Sequence, residues 1–261
     1  MSFFKKRSSV DKDGLSVETM TKGARLITAA EPKNPVSEQF RTLRTNIEFA
    51  AVSRGEIKTL LISSALPSEG KSTVTSNLAI VYAQQGKKVL LVDADLRRPT
   101  VSVSFGLNRN SVGLTNYLGD SHKEISYVVH HTAMDNLDVV TSGPIPPNPA
   151  ELLGSDRMTE LVTQLKSHYD LIIFDVPPFL MVTDAQVLMS KVDGVAIVVN
   201  GGKTNKGALQ RTNEILKIAD APVLGFIYND QNRRKKGSSG YGYGYGYGYG
   251  YGYGYGDTKS K

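Results

Sequence analysis

The feature that most constrains this chain is a loop between an apolar run and an amphipathic one, Ser63-Ser-Ala-Leu-Pro-Ser-Glu-Gly-Lys-Ser-Thr73. A strand that enters a helix through such a loop is typical of a phosphate-binding site, because backbone N–H groups at the helix N-terminus surround the phosphate. Lys71 would reach the outer phosphates, and the Ser72 hydroxyl would bind Mg²⁺. Ala65 replaces the usual first glycine, so the loop is a variant, and a simple N-cap turn is the alternative. The residues predicted to contact a nucleotide here are Pro67, Ser68, Glu69, Gly70, Lys71, Ser72 and Thr73.

Short runs rich in Val, Ile and Leu alternate along the chain with amphipathic stretches, which is the pattern of an α/β fold. Such apolar strands are expected to be buried on both faces of a mainly parallel, doubly wound sheet that binds ligands at the carboxyl ends of its strands. The predicted strands are Thr59–Ser63, Val89–Asp93, Leu137–Thr141, Leu171–Asp175, Gly194–Asn200 and Val223–Tyr228. The predicted helices are Pro35 to about Arg54, with Ser37 as N-cap, and Lys71–Gln85, Pro149–Lys166, Asp184–Lys191 and Asn205–Ala219.

Carboxylates follow two of these apolar runs. Asp93 and Asp95 come at the end of one, and because they are two residues apart on an extended chain they project to the same side. One can take a proton from an attacking hydroxyl while the other helps to hold a metal ion. Asp175 ends another run, as in a Walker B strand, where the carboxylate orients Mg²⁺. Strand-end capping by aspartate is the alternative interpretation.

The C-terminal region differs sharply from the rest of the chain. Glycine and tyrosine alternate strictly from Gly240 to Gly256, after the basic run Arg233–Lys236 and a short Gly-Ser linker. Because glycine loses much backbone entropy on ordering, we expect a disordered tail. The predicted organisation is therefore a flexible N-terminal arm (1–34), a P-loop domain (35–232), and a basic linker with a Tyr-rich tail (233–261).

Charge and composition exclude several classes of protein. The formal net charge is +6, and the basic run at 233–236 contributes four of these charges, so the body is nearly neutral and nucleic-acid binding is not expected. The absence of cysteine excludes disulfides, thiolate metal sites and cysteine nucleophiles. No apolar run is long enough to span a bilayer, and the N-terminus lacks the apolar core of a secretory signal.

Taken together, these segments resemble the bacterial tyrosine autokinases of the capsular or exopolysaccharide type, in their soluble CpsD-like form. The resemblance covers about residues 30–256. It rests on the loop from Ala65, on Leu91-Val-Asp-Ala-Asp-Leu-Arg, which matches the family's second Walker A motif (A′), and on Ile172-Ile-Phe-Asp-Val-Pro-Pro. The segment Ser142-Gly-Pro-Ile-Pro-Pro-Asn-Pro-Ala-Glu-Leu-Leu and the terminal tyrosine cluster also match.

This resemblance implies a P-loop NTPase-like fold that uses ATP and Mg²⁺ to phosphorylate the chain's own C-terminal tyrosines. Lys71 would be a catalytic phosphate contact, Asp93 the catalytic base, and Asp95 the second A′ acid. Ser72, Asp95 and Asp175 would hold the metal, and Asn229 would contact adenine. The implied acceptors are Tyr241, Tyr243, Tyr245, Tyr247, Tyr249, Tyr251, Tyr253 and Tyr255.

The resemblance also implies partners. Glu38, Arg41 and Arg44 match the family's oligomerisation motif, and this spacing places them along one helical face. Relatives form ring-shaped octamers in which each tail meets a neighbour's active site. They depend on a transmembrane adaptor of the polysaccharide co-polymerase type and on a cognate phosphotyrosine phosphatase. We therefore expect a cytoplasmic protein recruited to the inner face of the membrane. From the pattern alone, a solvated helix face is the alternative.

Two other functions share most of these motifs. One is a MinD- or ParA-like ATPase switch, and the other is an assembly scaffold without catalysis. The switch ATPases carry a second lysine five residues before the main one, where this chain has Leu66, and they lack a Tyr-rich tail. The full set of acids argues against a scaffold. The sequence therefore favours the kinase.

Overall fold

The computed structural model describes residues 22–52 and 54–230. Within these residues, seven strands form one sheet in the order β3-β4-β2-β5-β1-β6-β7. All neighbouring strands are parallel except β3, which pairs antiparallel with β4. The strands are β1 (Thr59–Ser64), β2 (Val89–Asp93), β3 (Val129–His131), β4 (Leu137–Val140), β5 (Leu171–Asp175), β6 (Gly194–Asn200) and β7 (Val223–Asn229).

Helices connect these strands and cover the sheet. In chain order they are α1 (Ile27–Ala30), α2 (Pro35–Val52), α3 (Lys71–Ala83), α4 (Val101–Ser104), α5 (Leu114–Leu118), α6 (Pro149–Gly154), α7 (Asp156–Leu165), α8 (Asp184–Met189) and α9 (Lys206–Ile218), with a 3-10 turn at Ile125–Tyr127. In the part of the chain that the structure describes, none of these helices combines the length and apolarity needed to cross a membrane.

The central strands are buried because helices cover both faces of the sheet. Successive residues of β1 belong to different cores: Leu61 lies in one hydrophobic cluster, and Leu60 and Ile62 lie in the other. This follows from the two-residue period of a strand, which sends neighbouring side chains to opposite faces. A strand buried on both faces must be apolar throughout, so the predicted mainly parallel sheet is confirmed.

Two local predictions along the chain differ from the structure. Strand β3 was not predicted, because Val129–His131 is a short edge strand with two histidines rather than an apolar run. The single helix predicted over Pro149–Lys166 is divided into α6 and α7 at Ser155. Ser155 has an extended backbone and its hydroxyl accepts a hydrogen bond from the Met158 N–H, so it caps a new helix.

The start of α2 also differs from the prediction that Ser37 is its N-cap. The helix begins at Pro35, a residue favoured at the first helical position, and the Asn34 side chain accepts a hydrogen bond from the Val36 N–H. Ser37 is instead buried within the helix, and its hydroxyl donates to the carbonyls of Ile27 (3.3 Å) and Glu31 (2.7 Å). Ser37 thus joins α2 to the segment before it.

Part of the predicted flexible arm is packed against the domain. Residues 1–21 lie outside the described residues, but α1 buries Ile27 and Thr28. The arm prediction over residues 1–34 therefore does not hold for its last part. Thr28 is polar, so sequence pattern does not mark it as buried. Its burial depends on hydrogen bonds to Asn77, a residue far along the chain. The linker and tail at 233–261, with all eight predicted phosphorylation sites, lie outside the described residues.

Candidate active site

The site forms where β1, β5 and β2 end side by side. These strands are neighbours and parallel, so their carboxyl ends lie at one edge of the sheet. Asp93, the last residue of β2, is in register with Asp175, the last residue of β5. The loop that leaves β1 enters α3 at Lys71. Sheet topology therefore brings the predicted loop and the predicted acids to one place.

The loop before α3 has the backbone conformation of an anion-binding turn. Gly70 is the N-cap of α3 and has φ +93°, in the left-handed region where glycine is favoured. Ser68 also has a positive φ, of +61°. Positive φ values followed by a helix N-terminus orient successive N–H groups toward one point, which suits a phosphate. The junction of Gly70 and Lys71, at the N-terminus of α3, therefore has a conformation that suits the binding of an anion.

Lys71 lies between two buried carboxylates. Its Nζ is 2.8 Å from Asp95 Oδ2 and 3.3 Å from Asp175 Oδ1, and it donates to Ser72 Oγ at 3.2 Å. Burial by itself lowers the pKa of a lysine, but Asp175 and Asp95 outweigh it, and the pKa of Lys71 is raised above its ordinary value. Lys71 therefore carries its charge at neutral pH. Three of the predicted catalytic residues meet at one ammonium group.

In each of the two strand-end carboxylates, one oxygen atom lacks a hydrogen-bond partner. Asp175 is fully buried, and its Oδ2 has no hydrogen-bond partner. Asp93 is also fully buried: its Oδ2 accepts from the Thr100 and Val101 N–H groups at 3.0 and 2.9 Å, and its Oδ1 has no partner. Burial raises the pKa of both carboxyls, and Asp175 raises that of Asp93 further, well above its usual range. Each acid thus keeps an oxygen for another group.

These oxygens fit a nucleotide with a magnesium ion. Mg²⁺ prefers oxygen ligands and is commonly held by one or two carboxylates together with phosphates. The residues that the structure describes contain no cluster of three or more His, Cys, Asp or Glu side chains that would hold a metal by themselves. The Asp175 Oδ2 atom, the Asp95 carboxylate and the Ser72 hydroxyl supply the oxygen donors that such a shared site needs.

Side chains from other elements fix the shape of the loop, and most of these contacts were not predicted. Glu69 is completely buried; its Oε2 accepts from the Leu66 N–H at 2.9 Å, and its Oε1 accepts from the Thr204 hydroxyl. Lys203 donates to the Ser68 carbonyl at 3.2 Å. Thr204 and Lys203 follow β6 and lie 135 positions after the loop residues that they contact, so no local sequence pattern connects them with the loop. Glu69 is thus an internal brace rather than an open contact.

Asn229, predicted to contact adenine, also touches the loop. It is the last residue of β7, and its side-chain amide donates to the Glu69 carbonyl at 2.8 Å. The structure therefore brings Asn229 to the nucleotide-binding loop, at the same sheet edge as the acids.

An ion pair links the segment after β2 to the segment after β5. Arg97 donates to both carboxylate oxygens of Asp184, Nε to Oδ2 at 2.9 Å and a terminal nitrogen to Oδ1 at 3.1 Å. Asp184 is buried, whereas Arg97 is partly exposed. Arg97 is the last residue of the segment that matches the A′ motif, and in the structure its partner is an acid. The partner, Asp184, was not predicted as part of the site.

The predicted oligomerisation residues lie on α2, apart from these loops. Arg41 pairs with Glu38 at 2.6 Å and also donates to the Pro32 carbonyl. Arg44 donates to the Val81 carbonyl at 2.9 Å, near the end of α3. Glu38 is largely exposed, whereas Arg44 is committed to a contact within the chain. The three side chains thus differ in their surroundings, although they share a motif.

Known proteins resemble this chain in both sequence and fold. The family described as AAA domain matches residues 58–223. The tyrosine-protein kinase YwqD of Bacillus subtilis (strain 168) is 50% identical over 216 residues, which are 83% of this chain and 90% of that protein. The kinase domain of the Escherichia coli tyrosine kinase ETK has a TM-score of 0.75 and 36% identity, and the match covers 85% of each chain.

The chain is also similar to the septum site-determining protein MinD of Pyrococcus horikoshii OT3, solved with Mg-ADP. That match has a TM-score of 0.55 and 26% identity, and covers 66% of this chain and 70% of that one. Both measures are lower than for the ETK domain. The predicted P-loop, doubly wound fold is confirmed, and the greater similarity is to the kinases.

We predict that Glu69→Ala weakens binding of Mg-ADP by about tenfold. The change leaves the Leu66 N–H without its acceptor, and an unsatisfied buried donor costs about 1–3 kcal/mol. Titration calorimetry of the folded variant checks this. Glu69→Gln keeps an acceptor oxygen and should bind nearly as the wild type does. Glu160→Ala, on the exposed surface of α7, is the control. Equal affinity for Glu69→Ala and Glu160→Ala would show that the loop does not need this brace.

Proposed function

As this chain belongs to the family of bacterial tyrosine-protein kinases, we propose that it transfers the γ-phosphate of ATP to the tyrosines of its own C-terminal tail. It is a protein-tyrosine kinase with a P-loop fold. The single observation that carries the proposal is the meeting of Lys71, Asp95 and Asp175 at the head of α3, beside a buried Asp93 with a free oxygen. Charge and oxygen donors are thus concentrated where the loop would hold phosphates.

In this proposal, the loop before α3 and the nearby acids bind the nucleotide and its magnesium ion. The backbone from Pro67 to Thr73 surrounds the phosphates, and the Lys71 ammonium offsets their negative charge. Ser72, Asp95 and Asp175 are the proposed ligands of Mg²⁺, which when bound neutralises charge that develops on the phosphoryl oxygens. Asn229 lies against the loop and is proposed to face the base of the nucleotide.

Asp93 is the proposed general base. A bond forms between the tyrosine oxygen and the γ-phosphorus while the bond from that phosphorus to the ADP oxygen breaks, and the phenolic proton passes to a carboxylate. A free tyrosine has a pKa near 10, so a carboxylate of ordinary pKa is a weak base toward it. Asp93 is held at Oδ2 by the Thr100 and Val101 N–H groups, so Oδ1 is the oxygen that would take the phenolic proton. Its Oδ1 has no other partner to compete for the proton.

The tail provides the proposed acceptors. Eight tyrosines between Tyr241 and Tyr255 alternate with glycine, and we propose that several of them enter one site in turn. We propose that transfer occurs in trans, within a ring of copies that is probed below. Phosphorylation would add negative charge to every tail and so loosen such a ring.

We further propose a membrane setting for this kinase. The resemblance to capsular and exopolysaccharide kinases points to control of polysaccharide synthesis and export. It also points to a transmembrane adaptor of the co-polymerase type that recruits the chain to the inner face of the membrane, and to a phosphatase that removes the tail phosphates. The alternative function is an ATPase switch like MinD, and its support is the weaker similarity to the Mg-ADP form of that protein.

The test of the proposed function is mass spectrometry of tail peptides. The full chain is incubated with Mg-ATP, alone and with the cytoplasmic segment of the adaptor, and Lys71→Met is treated in parallel. We expect phosphotyrosine at several positions from Tyr241 to Tyr255 in the wild type and none in Lys71→Met, because loss of the ammonium removes the charge that faces the phosphates. ATP hydrolysis without tail phosphate would favour the switch instead.

We expect Asp93→Asn to lower the rate of tail phosphorylation by about a hundredfold or more, the usual contribution of a general base. The amide keeps an oxygen that can accept from Thr100 and Val101, so binding of Mg-ADP should be retained. Quantified phosphopeptide time courses measure the rate, with Asp135→Asn, on an exposed loop, as the control. A rate near that of the control would remove Asp93 from this role.

The proposed ring is tested through α2. Changing Glu38 and Arg41 together to Ala should reduce the assembly to smaller species in light scattering, because both side chains reach the surface of the helix. Arg44 is left intact, since its contact with the Val81 carbonyl belongs to the fold. Arg211→Ala, on the exposed face of α9, is the control. An assembly of unchanged mass would count against this interface.

A further inference from the structure

The segment that leads into the first turn of α1 contacts both helices that serve the site. We call residues 23–28 the strap. At its start it contacts α4, the short helix whose first N–H groups hold the Asp93 carboxylate. At its end it contacts α3, the helix that begins with Lys71. Nothing in the sequence motifs relates this segment to catalysis.

The contact with α4 leaves no free space. Gly23 has φ +72°, and a Cβ atom at this position would lie 2.6 Å from Ser104 Cα, 2.7 Å from Ser104 N and 2.8 Å from Val103 C. These are backbone atoms, which cannot rotate away as a flexible side chain can. Gly23 is therefore required both by its left-handed backbone and by its close approach to α4.

A continuous series of hydrogen bonds leads from the strap to Asp93. The Ala24 N–H donates to Ser104 Oγ at 2.8 Å, and the Ser104 hydroxyl donates to the Thr100 carbonyl at 2.6 Å. The Thr100 N–H then donates to Asp93 Oδ2 at 3.0 Å, beside the bond from Val101 at 2.9 Å. Since Oδ2 is held in this way, the position of α4 sets the direction of the free Oδ1 atom.

The other end of the strap is fixed by a buried asparagine. Asn77 Oδ1 accepts from the Thr28 N–H at 3.0 Å and from the Thr28 hydroxyl at 2.9 Å, and its Nδ2 donates to the Arg25 carbonyl at 2.8 Å. Asn77 and Thr28 are almost wholly buried, and buried polar groups need such partners. The strap is thus hydrogen-bonded to α3 at one end and packed closely against α4 at the other.

We propose that the strap is a positioning element of the phosphoryl-transfer site, which holds α4 and thereby fixes the Asp93 oxygen that receives the tyrosine proton. Gly23, Ala24 and Ser104 are then positioning residues that act through Asp93. The proposal rests on the proposed role of Asp93 as the base. It assigns a part in the reaction to a segment that lies before the P-loop and outside every motif of the sequence.

The test compares Gly23→Ala with Gly106→Ala. Both glycines have φ +72°, so both changes impose the same backbone strain, but a Cβ at Gly106 meets nothing within 4 Å. We expect Gly23→Ala to lower the kcat of tail phosphorylation by about tenfold to a hundredfold, as for a small misplacement of a reacting group, with the KM for ATP unchanged. Gly106→Ala should retain the wild-type kcat. Equal kcat values for the two variants would overturn the proposal.

Two further measurements separate this proposal from the role of Asp93. Gly23→Ala should cause no further loss of kcat in an Asp93→Asn background, because both changes act on the same group; independent, multiplying losses would contradict the proposal. Hydrogen exchange of the peptide spanning residues 100–104 needs no kinase activity. It should be faster in Gly23→Ala than in Gly106→Ala, and equal exchange would show that the strap does not hold α4, whatever Asp93 does.

Ser104→Ala provides a second variant if Gly23→Ala does not fold. It removes the hydroxyl between Ala24 and Thr100 without adding an atom, and it should also lower kcat with the KM for ATP unchanged. Ser190→Ala, where an exposed serine makes a similar bond to the Val187 carbonyl, is the matched control. A kcat for Ser104→Ala equal to that of the control would contradict the proposed hydrogen-bond path.

Discussion

The site depends on the cost of burying two carboxylates at the ends of adjacent strands. Asp93 and Asp175 are fully buried, and ions removed from water are tolerated only when charges and hydrogen bonds compensate them. Lys71 supplies the charge, at 3.3 Å from Asp175, and the N–H groups of Thr100 and Val101 supply hydrogen bonds to Asp93. The loop, α3 and α4 must all be placed correctly for this compensation to occur. Much of the surrounding structure can be understood as support for these two strand ends.

That support comes from parts of the chain that are far apart in sequence. The strap contacts α4 from before the first strand, Thr204 and Asn229 brace the loop from beyond β6 and from the end of β7, and Asp184 holds Arg97 after β5. Asn229 holds the backbone of the loop at the Glu69 carbonyl. Thr204 and Asp184 instead hold side chains, those of Glu69 and Arg97. A transferred phosphoryl group requires little covalent chemistry from the protein, so accurate placement of charges is the main task of such a site. Contacts from several distant segments are consistent with this need for accurate placement.

How much could be predicted depended on whether a residue's role was local. The position of Asp93 and Asp175 at strand ends followed from the apolar runs before them, and their meeting followed from parallel strands ending at one edge. Asn229 was predicted to face adenine, but its contact with Glu69 could not be foreseen, since 160 positions separate the two. Ser37 had the residue type and spacing of an N-cap, yet Asn34 and Pro35 start the helix and Ser37 turns inward. The preference of serine for the N-cap was thus overridden by the hydrogen bonds that Ser37 makes to carbonyl groups of the preceding segment.

The sequence alone determined the class of fold, the loop for a phosphate and the acids that face it, because the two-residue period of strands and the Gly-Lys-Ser loop are local properties. It also identified the kinase family through the order of these motifs. Only the tertiary structure decided which groups compensate the buried charges: that Lys71 bridges Asp95 and Asp175, that Glu69 turns inward to Leu66 and Thr204, and that residues 23–28 reach α4. The physical reason is that burial and hydrogen-bond satisfaction are properties of distant segments brought together, which no local pattern records.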